Sequence, residues 1–147
     1  MVGILIAGHG GFPSGVLSAV NLVAGNPGNV TAVDFVEGMS TDELKAKMLA
    51  ALDGMEQEEI LVLTDLAGGT PFRTAAEIKA VYTGKRMRVV AGANMPAVVE
   101  AAFSSGDMDL DELTADVIQT GTEGFVDLDA LGAGEEEAET AAFEDGI

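Results

Sequence analysis

Val2-Gly-Ile-Leu-Ile-Ala7 is a continuous apolar run that opens directly into the glycine-rich turn Gly8-His9-Gly10-Gly11. Such a run is typical of a strand covered on both faces, as in a parallel sheet packed between helices. A second run, Ile60-Leu-Val-Leu63, ends in the same way, with Asp65 followed by the pair Gly68-Gly69. Two buried strands that each end in a glycine-rich turn predict an α/β fold with a ligand site beyond the strand ends.

The rest of the chain alternates between strand and helix patterns. Strands are predicted at Val2–Ala7, Val30–Val36, Glu59–Thr64 and Met87–Ala91. Helices are predicted at Ser14–Gly25, Ser40–Leu52, Thr70–Tyr82, Met95–Phe103 and Leu110–Gly121, with Ser14, Ser40 and Thr70 as their first three caps. A further short strand is predicted at Gly124–Leu128. Alternation of this kind, with short loops, predicts an open parallel sheet with helices on both faces.

Composition and charge exclude several classes of function. The 147 residues suit one domain, and 48% of them are apolar, which is enough for a core. Cysteine is absent, and no run is long enough to span a membrane, so we expect a cytoplasmic protein. The net charge is −18, and nucleic acid is therefore not expected as a partner.

The charge is also unevenly distributed. All seven basic residues lie between Lys45 and Arg88, and fifteen acids with no base follow from Val89 onward. Solubility or a salt-adapted host explains this acidity, and steering of a basic protein partner is a second, compatible explanation.

His9 is the single histidine of the chain and its best nucleophile. If the strands preceding His9 and Asp65 are neighbours, the two side chains come within hydrogen-bonding reach. A carboxylate that binds one imidazole nitrogen fixes the tautomer and leaves the other nitrogen free to attack. We therefore expect Asp65 to hold Nδ1 and Nε2 to take a phosphoryl group.

The turn after Asp65 suits an anion. Gly68 and Gly69 precede a predicted helix N-terminus, where backbone amides can approach an oxyanion closely. The hydroxyl of Thr70 could donate to the same oxyanion while also capping the helix. Arg73 could help to neutralise it, although an exposed helix residue is the simpler interpretation. Each feature is weak alone, and their joint placement favours function. No metal site is expected.

Four ordered motifs resemble a known family. These are Gly8-His9-Gly10 with Gly15, Val33–Gly38, Asp65–Phe72 and Ala93–Pro96, and together they resemble the enzyme IIA component of the mannose-family sugar phosphotransferase system. The resemblance covers roughly residues 1–130. It implies a parallel sheet of order 2-1-3-4 and a C-terminal antiparallel strand, here Gly124–Leu128, exchanged within a homodimer. Residues 131–147 are then an acidic tail.

The resemblance also implies a function and its partners. The histidine at position 9 would receive a phosphoryl group from phosphohistidine on HPr and pass it to a separate IIB protein, with IIC and IID membrane components downstream. Asp65 would orient the imidazole, and Gly68, Gly69 and Thr70 would lie at the phosphoryl group, without any cofactor. A regulatory module that is phosphorylated without onward transfer is the alternative. A His-Asp hydrolase is a third possibility, disfavoured because no metal partner is expected.

Overall fold

The fold is built on four parallel strands. The computed structural model describes residues 1–132, and its strands are β1 Gly3–His9, β2 Val30–Phe35, β3 Glu59–Thr64 and β4 Arg86–Val90. They lie side by side in the order β2-β1-β3-β4, with all neighbouring pairs parallel. The predicted fold class and strand order are confirmed, and the carboxyl ends of β1 and β3 meet at one edge of the sheet.

Five helices cover the two faces of this sheet. They are α1 Phe12–Ala24, α2 Thr41–Gly54, α3 Thr70–Val81, α4 Met95–Ser104 and α5 Leu110–Glu123. Residues of α2 and α3 pack on one face, and residues of α1, α4 and α5 pack on the other. The sheet is therefore the middle layer of three.

Alternating side chains of each central strand feed two separate cores. Ile4 and Ile6 of β1 belong to the core beside α1, α4 and α5, whereas Leu5 and Ala7 belong to the core beside α2 and α3. All four are fully buried. Because successive side chains of a strand point to opposite faces, a strand with helices on both faces must be apolar throughout. The uninterrupted run in the sequence has this cause.

The first helix begins earlier than predicted. Its N-cap is Gly11, and Ser14 is the third helical residue rather than the cap. The carboxylate of Asp34, at the end of β2, accepts hydrogen bonds from both the Ser14 backbone N–H and its hydroxyl. A side chain from another strand therefore performs the capping that the local sequence assigns to Ser14.

The third helix also differs by one residue from the prediction. Gly69 is its N-cap, with no side-chain hydrogen bond at the cap, and Thr70 is the first helical residue. Gly69 donates its N–H to the Leu66 carbonyl, and Arg73 donates to the Gly69 carbonyl, which closes the first turn. The predicted cap at Thr70 is wrong, because the preceding turn places the extended residue at Gly69.

The predicted strand at Gly124–Leu128 does not form within the single chain. Gly124 ends α5, and Leu128–Ala130 form a 3₁₀ helix. In the part of the chain that the structure describes, this segment pairs with no strand, and the outer edges of β2 and β4 are both unpaired. Exchange of this segment between two subunits is not shown. The acidic tail predicted at 131–147 lies almost entirely outside the described residues.

The helices of residues 1–132 are all too short or too polar to cross a lipid bilayer.

Candidate active site

The topology brings His9 and Asp65 to the same point of the sheet edge. His9 is the last residue of β1, and Asp65 directly follows β3, the neighbouring strand. The register pairs Ala7 with Thr64, so Asp65 lies level with Gly8, and the backbone N–H of the following residue, His9, is within reach of the Asp65 carboxylate. The predicted proximity of the two side chains follows from this pairing.

One carboxylate oxygen of Asp65 binds His9 twice. The Oδ2 atom accepts the backbone N–H of His9 at 2.9 Å and lies 2.9 Å from the ring Nδ1. The His9 side chain is 45% exposed, whereas that of Asp65 is 16% exposed. The pair therefore combines a sheltered acid with an imidazole that solvent and a partner can reach.

The charge of Asp65 determines which ring nitrogen carries the proton. Burial raises the pKa of Asp65, but the two hydrogen bonds from His9 and the charge of the ring outweigh it and hold the pKa below 3.8. At neutral pH the carboxylate can only accept hydrogen bonds, so the neutral imidazole must carry its proton on Nδ1. The Nε2 lone pair is then free.

Gly69 lies directly against the imidazole. A methyl group added at Gly69 would lie 2.8 Å from His9 Cε1 and 3.5 Å from Nε2. Gly8 has a similar role on the other side, since a methyl group there would lie 3.0 Å from Asp65 Cγ. These two glycines let the His9-Asp65 pair pack against bare backbone.

The helices that begin at this edge of the sheet differ in how they could receive an anion. Asp34 occupies the N-terminus of α1, and Ser40 caps α2, whose first turn carries two acids. The side chain of Asn94 caps α4. In the described structure α1 and α3 both lack a side-chain cap hydrogen bond and an acid in the first turn, but the first turn of α1 already binds the Asp34 carboxylate. Because a helix N-terminus attracts negative charge, α3 is the one left open to an anion.

The residues predicted to surround a phosphoryl group lie at this open end. Gly68 has φ of +75°, a conformation that suits glycine and turns the chain towards Gly69. The Thr70 hydroxyl makes no hydrogen bond within residues 1–132, so it is available to a ligand. Arg73 is exposed and forms no ion pair in the same range, in keeping with the simpler interpretation of an exposed helix residue.

Sequence reasoning from the residues missed the contribution of β2. Asp34 binds Ser14, the Phe35 carbonyl accepts the Gly10 N–H at 2.7 Å, and the Phe35 ring meets the imidazole edge-on, with ring centroids 6.1 Å apart. The motif Val33–Gly38 was noticed only as part of a resemblance. The signal was present, since β2 neighbours β1 and ends in an acid beside an aromatic residue.

Metal ligands do not assemble around this pair. Among residues 1–132 no three histidine or acidic side chains lie close enough together to hold a metal ion. The chemistry open to the site as it stands is nucleophilic attack by Nε2, with Asp65 compensating the charge that appears on the ring.

A family model described as "PTS system fructose IIA component" (EIIA-man) matches residues 3–118 of this chain. The chain belongs to this family. The fructose-specific EIIA component of Bacillus subtilis (strain 168) is 36% identical over 101 residues, which are 68% of each protein. The mannose-specific EIIAB component of Escherichia coli (strain K12) is 34% identical over 131 residues, which are 88% of this chain and 40% of that longer protein.

Solved structures of EIIA proteins share the fold. The phosphotransferase system component EIIA from Streptococcus agalactiae superimposes with a TM-score of 0.83 at 36% identity, covering 89% of this chain and 100% of that one. The mannose/sorbose-specific IIA subunit from Enterococcus faecalis gives a TM-score of 0.77 at 27% identity, covering 88% and 96% of the two chains. This EIIA chain is thus a phosphotransferase system component of the mannose family.

Proposed function

We propose that His9 is the phosphoryl acceptor of this EIIA protein. Its Nε2 takes the phosphoryl group from phosphohistidine on HPr and passes it to a histidine of a IIB protein during sugar uptake. In each step one N–P bond breaks as another forms, and the proton on Nδ1 stays in its hydrogen bond with Asp65. The observation that carries the proposal is the 2.9 Å contact between Nδ1 and Oδ2, which leaves Nε2 beside Gly69.

Asp65 acts by charge and by orientation. As Nε2 attacks phosphorus, positive charge develops on the ring, and the adjacent carboxylate stabilises it. The second hydrogen bond, from the His9 backbone to the same oxygen, holds the carboxylate in place while the ring reacts. The lowered pKa of Asp65 keeps the carboxylate charged throughout the pH range in which the imidazole is neutral.

The phosphoryl oxygens are received by the start of α3. Gly68 and Gly69 allow backbone amides to approach, and the unpaired hydroxyl of Thr70 donates to an oxygen. Fixed donors of this kind offset the charge of a transferring phosphoryl group without a metal or other cofactor.

Partner docking and assembly complete the proposal. Val36 and Leu66 are exposed apolar side chains on the loops that flank His9, and they offer HPr and IIB an apolar docking surface.

Residues 1–130 form the phosphocarrier domain, ahead of an acidic tail. The domain works in the cytoplasm, as a homodimer, upstream of IIC and IID membrane components.

Phosphorylation from purified components tests the proposal. The protein is incubated with phosphoenolpyruvate, enzyme I and HPr, and its mass and acid lability are measured before and after addition of IIB. One acid-labile phosphate is expected on the wild-type chain and none on His9→Asn, whose amide nitrogen can still donate to Asp65 but which has no Nε2. Labelling that survives in His9→Asn contradicts the proposal. Labelling that no IIB protein can discharge favours a regulatory module instead.

A further inference from the structure

Asp34 is attached to the same turn as His9, although it lies on a different strand. It is the residue of β2 that pairs with Gly8, and its side chain reaches across to the first turn of α1. We propose that Asp34 is a positioning residue for phosphoryl transfer, acting through the turn that carries His9. The inference rests on the proposed function of His9.

The contact between Asp34 and α1 uses both carboxylate oxygens. Oδ1 accepts the Ser14 backbone N–H at 2.9 Å, and Oδ2 accepts the Ser14 hydroxyl at 2.6 Å. The same hydroxyl lies 3.3 Å from the Gly11 carbonyl, which adds a weaker bond back to the turn. Charge-assisted hydrogen bonds of this length are stronger than bonds between neutral groups.

The turn from His9 to Ser14 depends on such outside anchors. Gly10 has φ of +57°, and the N-cap Gly11 has no side chain with which to cap α1. Glycine gains more conformational freedom than other residues when it is released, so a turn with adjacent glycines needs external contacts to stay in one shape.

Three anchors hold this turn, and Asp34 provides the last of them. Asp65 binds the His9 N–H, and the Phe35 carbonyl binds the Gly10 N–H. Asp34 then fixes the start of α1 through Ser14. Without it, the start of α1 loses its hydrogen bonds to β2 and keeps only the packing of Phe12 and Pro13, and the imidazole samples orientations in which Nε2 no longer faces Gly69 and the start of α3.

The key comparison is between Asp34→Ala and a matched cap variant, Ser40→Ala. Ser40 caps α2 at the same edge of the sheet by accepting the Glu43 N–H, but it does not touch the His9 turn. Both variants lose a helix cap. We expect Asp34→Ala to lower the maximal rate of His9 phosphorylation about tenfold, with the KM for phospho-HPr changed less than about twofold, because the turn is misplaced and docking is kept. Ser40→Ala should keep both values.

A conservative variant separates positioning from charge. In Asp34→Asn the amide oxygen can still accept the Ser14 N–H, and the amide NH₂ can donate to the Ser14 oxygen. Its rate should therefore return to within about threefold of wild type. A rate as low as that of Asp34→Ala would show that charge rather than position matters and would overturn the inference.

The imidazole itself reports on position without any transfer reaction. In ¹⁵N NMR spectra of His9, Asp34→Ala should shift or broaden the Nδ1 and Nε2 signals, whereas Ser40→Ala should leave them at the wild-type values. Equal rates and equal spectra for the two variants contradict the role of Asp34. A wild-type chain that takes up no phosphate instead refutes the proposed function, and the spectra still test the positioning of the ring by Asp34.

Discussion

The Oδ2 atom of Asp65 accepts the backbone N–H and the ring of one residue, His9, and this leaves Oδ1 buried without a hydrogen bond in the described structure. A buried polar atom without a partner costs about 1–3 kcal/mol. A carboxylate chosen for stability alone would share its bonds between both oxygens. The uneven arrangement is therefore better explained by the orientation it imposes on the imidazole.

Stability at low pH should depend on Asp65. Its folded-state pKa is lower than the ordinary aspartate pKa, so its contribution is full well above the ordinary pKa and is lost as pH falls through the folded pKa. We expect the free energy of unfolding of wild type to fall relative to that of Asp65→Asn as the pH is lowered from about 5 to 3. Urea unfolding at each pH measures the difference, and a constant difference would contradict the lowered pKa.

A single methyl group at Gly69 should disable the site without unfolding the protein. Gly69 has φ −71° and ψ 165°, which alanine adopts freely, but the added carbon would lie 2.8 Å from His9 Cε1. The ring must then turn away from Asp65, and the phosphorylation rate should fall by about tenfold or more. Gly28→Ala is the control, since a methyl group there meets nothing within 4 Å. Equal phosphorylation rates for Gly69→Ala and Gly28→Ala would show that a side chain at position 69 does not disturb His9.

For single residues, the sequence could predict that the side chains of His9 and Asp65 lie close together, but not which of their atoms form hydrogen bonds. The apolar runs placed both residues at strand ends, and neighbouring parallel strands bring such ends together. The two hydrogen bonds from His9 to one carboxylate oxygen depend on the exact register of β1 and β3, which is set by packing across the whole sheet. The Asp34-Ser14 bond depends likewise on β2, twenty residues along the chain.

Among the elements, the helices whose caps are local were the ones best predicted. Ser40 was expected to cap α2, and its side chain does accept the Glu43 N–H. The starts of α1 and α3 were misplaced because tertiary contacts decide them, through Asp34 for α1 and through the Gly69 turn beneath His9 for α3. A cap residue chosen from the local sequence is therefore unreliable where a side chain from another strand binds the first N–H groups of the helix.

The capping box of α5 should contribute to stability and not to function. Asp109 accepts the Glu112 N–H, and the Glu112 side chain accepts the Asp109 N–H. Asp109→Ala should lower the free energy of unfolding by about 1 kcal/mol because helical N–H groups lose their partner. Asp107→Ala removes the same charge from the neighbouring loop, and urea unfolding should show a smaller loss. His9 phosphorylation should be unchanged in both, and a similar loss in both would attribute the effect to charge.

Across the described molecule, the sheet has two outer edges, on β2 and on β4, and the β4 edge lies next to the last α-helix. β4 pairs with β3 on one side, and in the described residues nothing pairs with its other side. Exposed sheet edges invite pairing with another chain, and natural proteins usually cover them. Next to this edge a cavity of about 330 Å³ is lined by side chains including Val90, Ile118 and Phe125. An open edge beside an apolar cavity is the setting in which a second copy would add a strand.

The segment that follows α5 has the composition to fill that position. Phe125, Val126 and Leu128 are 85%, 58% and 68% exposed in the single chain, although large apolar side chains gain free energy when buried. In the single chain this segment ends in a 3₁₀ helix and pairs with no strand. The strand predicted at Gly124–Leu128 is absent from the single chain, and its exchange within a dimer stays a prediction.

Solution mass tests whether the assembly forms. We expect sedimentation equilibrium to give about twice the chain mass of 15.0 kDa for wild type and a single chain mass for the double variant Phe125→Asp, Val126→Asp, because two charges cannot be buried against β4. Leu22→Asp, which replaces a 90% exposed apolar residue of α1, should stay dimeric. Since His9 and Asp65 come from one chain, the monomeric variant should still accept phosphate on His9. A monomeric wild type would contradict the strand exchange. If the double variant is still a dimer, a different surface joins the subunits.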